Sequence, residues 1–246
     1  MARGKTAIII LMVLVFLAGL VCAMHPHIQG AVVDNHMQQQ AQQFIDRITT
    51  QPPADPPEHC EPTIQPEEIP HADLLQTMQE YNQQIWEERQ EGLCDPWSYQ
   101  QPSFTLGDHG LEDEVFGVIS IPSLELELPL YLGATYQHIA NGAAHLSQTS
   151  IPIGGKNTNA VIAGHRGWGG AAYFRYIAKL QPGDEVIITN LWGTLTYRVT
   201  DMQIIWPYEV DQILIQEGRD LLTLLTCHPY ASGGKQRYLV ICERAK

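Results

Sequence analysis

Apolar and polar positions divide the chain into four stretches of different periodicity. From Ala7 to Met24 the apolar run is long enough to approach one bilayer span of ~20 residues. Arg3 and Lys5 precede it, which favours a cytoplasmic N-terminus. The rival reading is a cleaved signal peptide, with Val21-Cys22-Ala23 as a weak cleavage site. The run is longer than the usual signal core of about 7–15 residues. Residues 1–24 are therefore read as an N-terminal membrane helix, and the rest of the chain lies outside the cytoplasm. Val21 before Cys22 argues against a lipoprotein signal, so Cys22 reads as an apolar membrane residue.

Residues 25–70 are poor in large apolar side chains and rich in Gln and Pro. A short helix fits around Met37 to Gln43 with Phe44, Ile45 and Ile48. QPPADPP, Gln51 to Pro57, cannot be helical, because proline lacks a backbone donor and fixes φ. The stretch reads as a spacer, semi-rigid where Pro-rich. Residues 71–114 begin with a helical pattern from Ala72 to Gln90. Leu74, Leu75, Met78, Tyr81, Ile85 and Trp86 make one apolar stripe that packs on the outside of the domain that follows. Gly92 to Trp97 then reads as a turn, with Asp95-Pro96 initiating it and Trp97 as a packing plug.

From residue 115 to 246 the period falls to two. Leu124, Leu126, Leu128 and Leu130 alternate with Glu125, Glu127 and Pro129 inside a pair of strands spanning Val115 to Leu132. Asn141 to Gly155 reads as a loop with a short helix, and Tyr173 to Leu180 as another helix before Pro182-Gly183-Asp184. Strands are expected at Ala160 to Ala163, Glu185 to Asn190, Thr194 to Ile205 and Leu221 to Thr226, with a further one after Gly233-Gly234. Many short strands separated by turn signals predict a mostly β domain, a sandwich or closed barrel.

Composition narrows the function classes. The net charge is -13 and no basic cluster follows the membrane run, which excludes a nucleic-acid surface. The five cysteines contain no CxxC pair, so no metal is expected, and nothing resembles a phosphate-binding loop, so no cofactor is expected. Cys60 and Cys94 flank the Ala72–Gln90 helix and could bridge outside the membrane; Cys242 reads as core.

Candidate chemistry gathers at strand ends. Cys227 closes LLTLLTC, and Arg237 opens the next apolar run. If those strands pair antiparallel, thiol and guanidinium lie at one end of the sheet. His165 follows the strand Ala160 to Ala163 inside Gly-His-Arg-Gly, where the glycines free the backbone for a ligand to approach. His165 and Arg237 would both favour the thiolate over a thiol of pKa near 8.5. The thiolate would attack a peptide carbonyl, His165 would protonate the leaving amine, and Arg237 would stabilise the oxyanion or hold substrate backbone. His228, adjacent to Cys227, points to the opposite face and reads as a bystander.

TLLTC at Thr223 to Cys227, Arg237, and GHRG around His165 resemble the three signature motifs of sortases, cysteine transpeptidases of Gram-positive cell surfaces built on an eight-stranded β-barrel. IPIGGKNTNAVIAGHRG (Ile151 to Gly167) and TLLTCHPY (Thr223 to Tyr230) are most similar to the pilin-polymerising class C. The resemblance runs from about Val115 to Arg244. It implies a closed barrel preceded by a helical and lid segment. It also implies an Asp-Pro-aromatic lid formed by Asp95, Pro96 and Trp97, with Asp95 on Arg237 and Trp97 over Cys227. The implied partners are pilins or other surface proteins with LPxTG-like sorting signals, cleaved between Thr and Gly, and the implied acceptor is a pilin lysine. Members of this class usually carry a second, C-terminal membrane segment, whereas this sequence stops at Lys246, which leaves wall anchoring to a peptidoglycan amine as the alternative. An L,D-transpeptidase would carry Arg two residues after its Cys, where this chain has Pro229. A non-catalytic barrel serving as a binding module is the remaining alternative.

Overall fold

The alternating apolar positions after residue 114 resolve into eight strands: β1 (Val115–Ile121), β2 (Leu126–Leu132), β3 (Ala143–His145), β4 (Thr158–Ala163), β5 (Glu185–Asn190), β6 (Gly193–Ile205), β7 (Asp220–His228) and β8 (Gln236–Arg244). They close into a barrel in the order β1-β2-β3-β4-β7-β8-β6-β5. The β2–β3 and β4–β7 pairs are parallel and the others antiparallel, with β1–β5 closing the ring. The computed structural model describes residues 2–50, 69–91, 93, 105–111, 113–231 and 233–245. Cys60, Cys94, Asp95, Pro96 and Trp97 lie outside the described residues, and with them the expected bridge and lid.

Alternation along the strands sorts apolar side chains into two clusters. Leu222, Leu224, Val240, Ile162, Leu130 and Phe116 belong to one. Leu225, Leu239, Val161, Ala163 and Ile205, on the alternate face, belong to the other, which Ala41 and Phe44 of the N-terminal helix complete from outside the barrel. Each fully buried Leu or Phe contributes roughly 1.5–3 kcal/mol.

The N-terminal helix α1 runs from Ala2 to Thr50, with Pro26 inside it. This corrects the first half of the expected spacer, since residues 25–50 continue the helix of the apolar run. The cause is one buried stripe, Met37, Ala41 and Phe44, at helical spacing in an otherwise Gln-rich segment. Around it, Tyr131 Oη donates to Gln40 Oε1 at 3.2 Å, and Arg47 pairs with Asp113 at 2.8 Å. The pair is partly exposed and contributes only ~0–1 kcal/mol.

Helix α2 (Ala72–Glu87) buries Leu74, Met78, Asn82 and Ile85. Asn82 fixes its register by exchanging two bonds with the backbone of Ile151, at 3.1 and 2.7 Å. The helix ends before Gln90 because Arg89 and Gln90 adopt positive φ, which lets the Gln90 amide bond to the backbone of Gln148 and Ile215. Two further expectations shift. The short helix α3 (Tyr136–Asn141) precedes the Asn141–Gly155 segment, capped by Thr135, and β3 follows it. The Tyr173–Leu180 helix shrinks to a single 3₁₀ turn, Ile177–Lys179, because Tyr173 takes φ of 42° to bury its ring.

Candidate active site

Four adjacent strands carry the site. In β7 and β8, Cys227 and Arg237 are direct partners across the antiparallel ladder, and Ile205 of β6 is the partner of Arg237 on its other side. Such partners hold their Cβ atoms about 4.5–5.5 Å apart on the same face. In the parallel β4–β7 pair, Ala163 is in register with Leu225. His165 and Cys227 each lie two residues further on; Cys227 is still within β7 and keeps the face of Leu225, and His165 follows the end of β4. The result is one row, Cys227, Arg237 and Ile205, at one end of the barrel, with His165 just past the end of the neighbouring β4. The thiol and guanidinium thus lie at the same end of the sheet, and the imidazole joins them from a third strand.

The threonines of the TLLTC run hold β7 to β4. Thr223 Oγ1 donates to Asn159 Oδ1 at 2.9 Å, and Thr226 Oγ1 donates to the carbonyl of Gly164 at 2.7 Å. Gly164 N–H in turn donates to the carbonyl of Leu225 at 3.1 Å. The residue before His165 is thereby tied to the two residues before Cys227.

The β7–β8 loop folds back on the thiol. Arg237 Nη1 donates to the carbonyl of Gly234 at 2.5 Å and to that of Gln236 at 3.2 Å. A Cβ on Gly234, at φ of 74°, would stand 2.9 Å from Cys227 Sγ. Glycine is needed there both for the backbone and for the space. Arg237 is buried, which directs its charge into the site instead of into water.

Electrostatics set the resting state. Burial pushes the Cys227 thiol up, and the Arg237 and Arg166 guanidiniums pull it down. Burial pushes the His165 imidazole down. Each group alone therefore favours its neutral form. His165 is held between two rings: Trp168 stacks on it at 5.1 Å and 19° from parallel, and Tyr173 meets it edge-on at 5.6 Å.

The glycines beside His165 are also needed for packing. A Cβ on Gly164 would fall 2.7 Å from the Phe174 ring, and one on Gly167 would fall 2.5 Å from Arg175 Nε. The Phe174 ring and the Arg175 side chain occupy those approaches. The residue that sequence reasoning missed is Arg166. Its Nη1 reaches the carbonyl of Cys227 at 3.0 Å and His228 Nδ1 at 2.7 Å, and its guanidinium lies over the Tyr238 ring at 5.4 Å. His228 does lie off the thiol's face, stacked on Tyr238, but as an acceptor it takes part in holding the site. The sequence showed only that Arg166 and His228 each follow a candidate residue; that the two meet depends on the register of β4 and β7.

Cys242 is fully buried in the barrel cluster, and its thiol is pushed up to about 12 by burial. A cavity of about 620 Å³ opens elsewhere, between α1 and β1, lined by residues such as Gln40, Arg47, Asp113 and Tyr131, and shares no residue with the Cys227 row.

The family model described as the sortase domain matches residues 119–245. Among solved structures, sortase C1 of GBS pilus island 1, from group B Streptococcus, superposes with a TM-score of 0.70. It is 26% identical, and the match covers 85% of this chain and 92% of that one. Sortase D of Bacillus subtilis is 27% identical over 52% of this chain, and sortase A of Bacillus anthracis is 32% identical over 52% of it. These matches span 63% and 58% of the two relatives' lengths.

Proposed function

The chain belongs to the sortase family, and from that premise we propose that it is a class C cysteine transpeptidase held in the cell membrane by α1. In this reading it faces the outside of a Gram-positive-type cell. It cleaves LPxTG-like sorting signals between Thr and Gly and joins the product to a pilin lysine. The observation that carries the reading is Cys227 and Arg237 in direct register, with His165 just past the end of the neighbouring β4. A nucleophile, an acid–base group and a fixed cation on three adjacent strands are what acyl transfer from a peptide to an amine requires.

The steps follow from these groups. The Cys227 thiolate attacks the Thr carbonyl, and the new C–S bond forms as the carbonyl oxygen takes negative charge beside Arg237. The C–N bond to Gly breaks, and the His165 imidazolium gives its proton to the departing amine. The acyl group is now a thioester. The lysine amine attacks it, neutral His165 accepts the amine's proton, and the C–S bond breaks to return the thiolate. Burial disfavours the charged thiolate–imidazolium pair, and the two arginines offset part of that cost. Asp95, Pro96 and Trp97 form the lid of this reading, with the carboxylate on Arg237 and the indole over Cys227.

The test is full-length protein in detergent, a panel of sorting-signal peptides, and two amines: a pilin-derived lysine peptide and a peptidoglycan stem peptide. Mass spectrometry is expected to find the lysine isopeptide and, without amine, a thioester on Cys227. A product carrying only the peptidoglycan amine replaces pilin polymerisation by wall anchoring. A Cys227→Ala protein that still cleaves the peptides ends the transpeptidase reading. His165→Ala and Arg237→Ala are each expected to lower kcat/KM by about two to four decades.

A further inference from the structure

Helix α1 does more than lead the chain out of its apolar run. Gly30, Asp34, Met37, Ala41 and Phe44 fall at spacings of four, three, four and three, one continuous stripe facing the barrel. Met37, Ala41 and Phe44 bury against the clusters. Gly30 and Asp34, nearer the apolar run, meet the loop that carries His165.

The first contact is backbone on backbone. A Cβ on Gly30 would stand 2.5 Å from the carbonyl oxygen of Gly170 and 2.9 Å from its Cα. A Cβ on Gly170, at φ of 90°, would stand 3.0 Å from the Cα and N of Gly30. Glycine is a poor helix former, so its use inside a helix at the point of closest approach has a packing reason. Gly19, in the same helix, has nothing within 4 Å of its Cβ position. One turn beyond Gly30, Asp34 Oδ1 accepts the Ala172 N–H at 3.2 Å.

The loop then carries the contact inward. Trp168 and Ala171 exchange two backbone bonds, at 3.2 and 2.9 Å, and enclose Gly169 and Gly170 between them. Trp168 is the ring that stacks on His165, and Phe174 N–H donates to the His165 carbonyl at 2.9 Å. A continuous path of contacts thus runs from α1 through Gly170 and Ala172 to Trp168 and the imidazole. Gly30 lies six residues past Met24, about 9 Å along the axis at 1.5 Å per residue, so the path starts close to the end of the apolar run.

We propose that Gly30 and Asp34 are positioning residues for His165, so that the helix holding the chain in the membrane also sets the imidazole against Trp168. This rests on the reading of His165 as the acid–base group. Positioning acts on the chemical step: a misplacement of 1 Å far from the reacting atoms can cost about 100-fold in rate. The path ends on the acid–base group, so its loss is read in kcat more than in KM.

The experiment compares wild type with Gly30→Val, Asp34→Ala, Asp34→Asn and the control Gly19→Val, as full-length protein in detergent micelles. Two readouts are taken: kcat and KM for a sorting peptide, and the His165 ring Cε1–H signal. That signal is assigned by its loss in His165→Asn and is sensitive to the stacked indole. Gly30→Val and Asp34→Ala are expected to lower kcat by about 10- to 100-fold, with KM changing less than about twofold, and to shift the His165 signal. Asp34→Asn keeps an acceptor oxygen and is expected to stay near wild type, as is Gly19→Val. Wild-type kcat and an unmoved signal in Gly30→Val overturn the proposal. If Gly30→Val does not fold, the same result in Asp34→Ala overturns it. The signal needs no turnover: a shift in variants of a protein that processes no sorting peptide supports the positioning and refutes the transpeptidase reading alone.

Discussion

Arg166 and Cys227 are joined on the reverse face of the site, the guanidinium donating to the cysteine's own carbonyl at 3.0 Å and, through the same nitrogen, meeting His228 Nδ1 at 2.7 Å. His228 must carry its proton on Nε2 to accept that bond. The residue after the imidazole is thereby fixed to the residue that bears the thiol, and a positive charge is held beside both.

Arg166 should therefore matter without touching substrate. Removing it deletes one of the two charges that draw the thiol down against burial. It also deletes a charge-assisted hydrogen bond, of a kind that contributes about 1.5–3 kcal/mol. Arg166→Gln is expected to raise the kinetic pKa of Cys227, read from iodoacetamide rates across pH, and to slow alkylation at pH 7 several-fold. Arg166→Lys should keep the lower thiol pKa yet lose activity, because a point charge cannot span both acceptors. A thiol pKa unchanged in Arg166→Gln would remove Arg166 from the site.

The shifts of Cys227 and His165 predict the shape of the pH–rate curve. Burial moves the thiol up and the imidazole down, so the two limbs move apart. The acid limb of kcat/KM should fall below the ordinary imidazole value of 6.5, and the alkaline limb should lie on the high side of the ordinary thiol range. Both limbs belong to the coupled pair, not to either residue alone. Between them the curve should be flat, because the productive charged pair and the neutral pair differ only in where one proton sits. Limbs drawn in toward each other would show that the two groups ionise readily in the free enzyme.

A second histidine links stability to pH. His145 on β3 has no exposed surface, and burial pushes its pKa down to about 4 from 6.5. Its Nε2 meets the carbonyl of Thr149 at 3.1 Å. Below pH 6.5 the unfolded chain takes up a proton that the folded chain refuses, so stability is full above 6.5 and falls as pH drops toward 4. The gap, at 1.36 kcal/mol per unit, amounts to about 3 kcal/mol. Urea unfolding at pH 7.5 and 4.5 is expected to show that loss in wild type and a smaller one in His145→Gln. Equal losses would place the acid sensitivity elsewhere.

The strand pattern carried most of the barrel in sequence, since Leu126 to Leu132 and Leu221 to Cys227 alternate or run apolar in ways that only a sheet accommodates. β3 was not legible because Ala143, Ala144 and His145 are buried on both faces and three residues hold no period. The docking of α1 was hidden for the opposite reason. Its stripe is narrow and begins with a glycine, and Gln-rich surroundings dilute the signal that Met37, Ala41 and Phe44 carry. The pairing of Cys227 with Arg237 could be anticipated from strand ends, but the Arg166 clamp depends on register between β4 and β7, which tertiary pairing alone decides.

Leu93 is the described residue nearest in sequence to the proposed Asp95-Pro96-Trp97 lid. Leu93 packs against the cluster of Ile205, Leu225 and Leu239, the face from which Cys227 and Arg237 project. Its N–H is held by the carbonyl of Gln90 at 3.1 Å, and the Gln90 side chain is held in turn by the backbone of Gln148 and Ile215. Leu93 itself is therefore fixed beside the site. Asp95 follows Leu93 by two residues, a reach of at most about 7 Å, and Trp97 by four. An Asp95 carboxylate on the buried Arg237 would gain from the low local dielectric but would not hold the segment by itself, so the indole's apolar contact must contribute. A closed state favoured by a few kcal/mol leaves an open population of about 0.1–10%. Asp95→Ala combined with Trp97→Ala is expected to raise the alkylation rate of Cys227 by about one to two decades, at roughly 1.4 kcal/mol per decade. Hydrolysis of sorting peptides should rise with it, because water gains the same access. The rates are to be compared at matched pH with folding verified by thermal unfolding. If the double variant and wild type are alkylated equally fast, the Asp-Pro-Trp segment does not cover the thiol and is only packing.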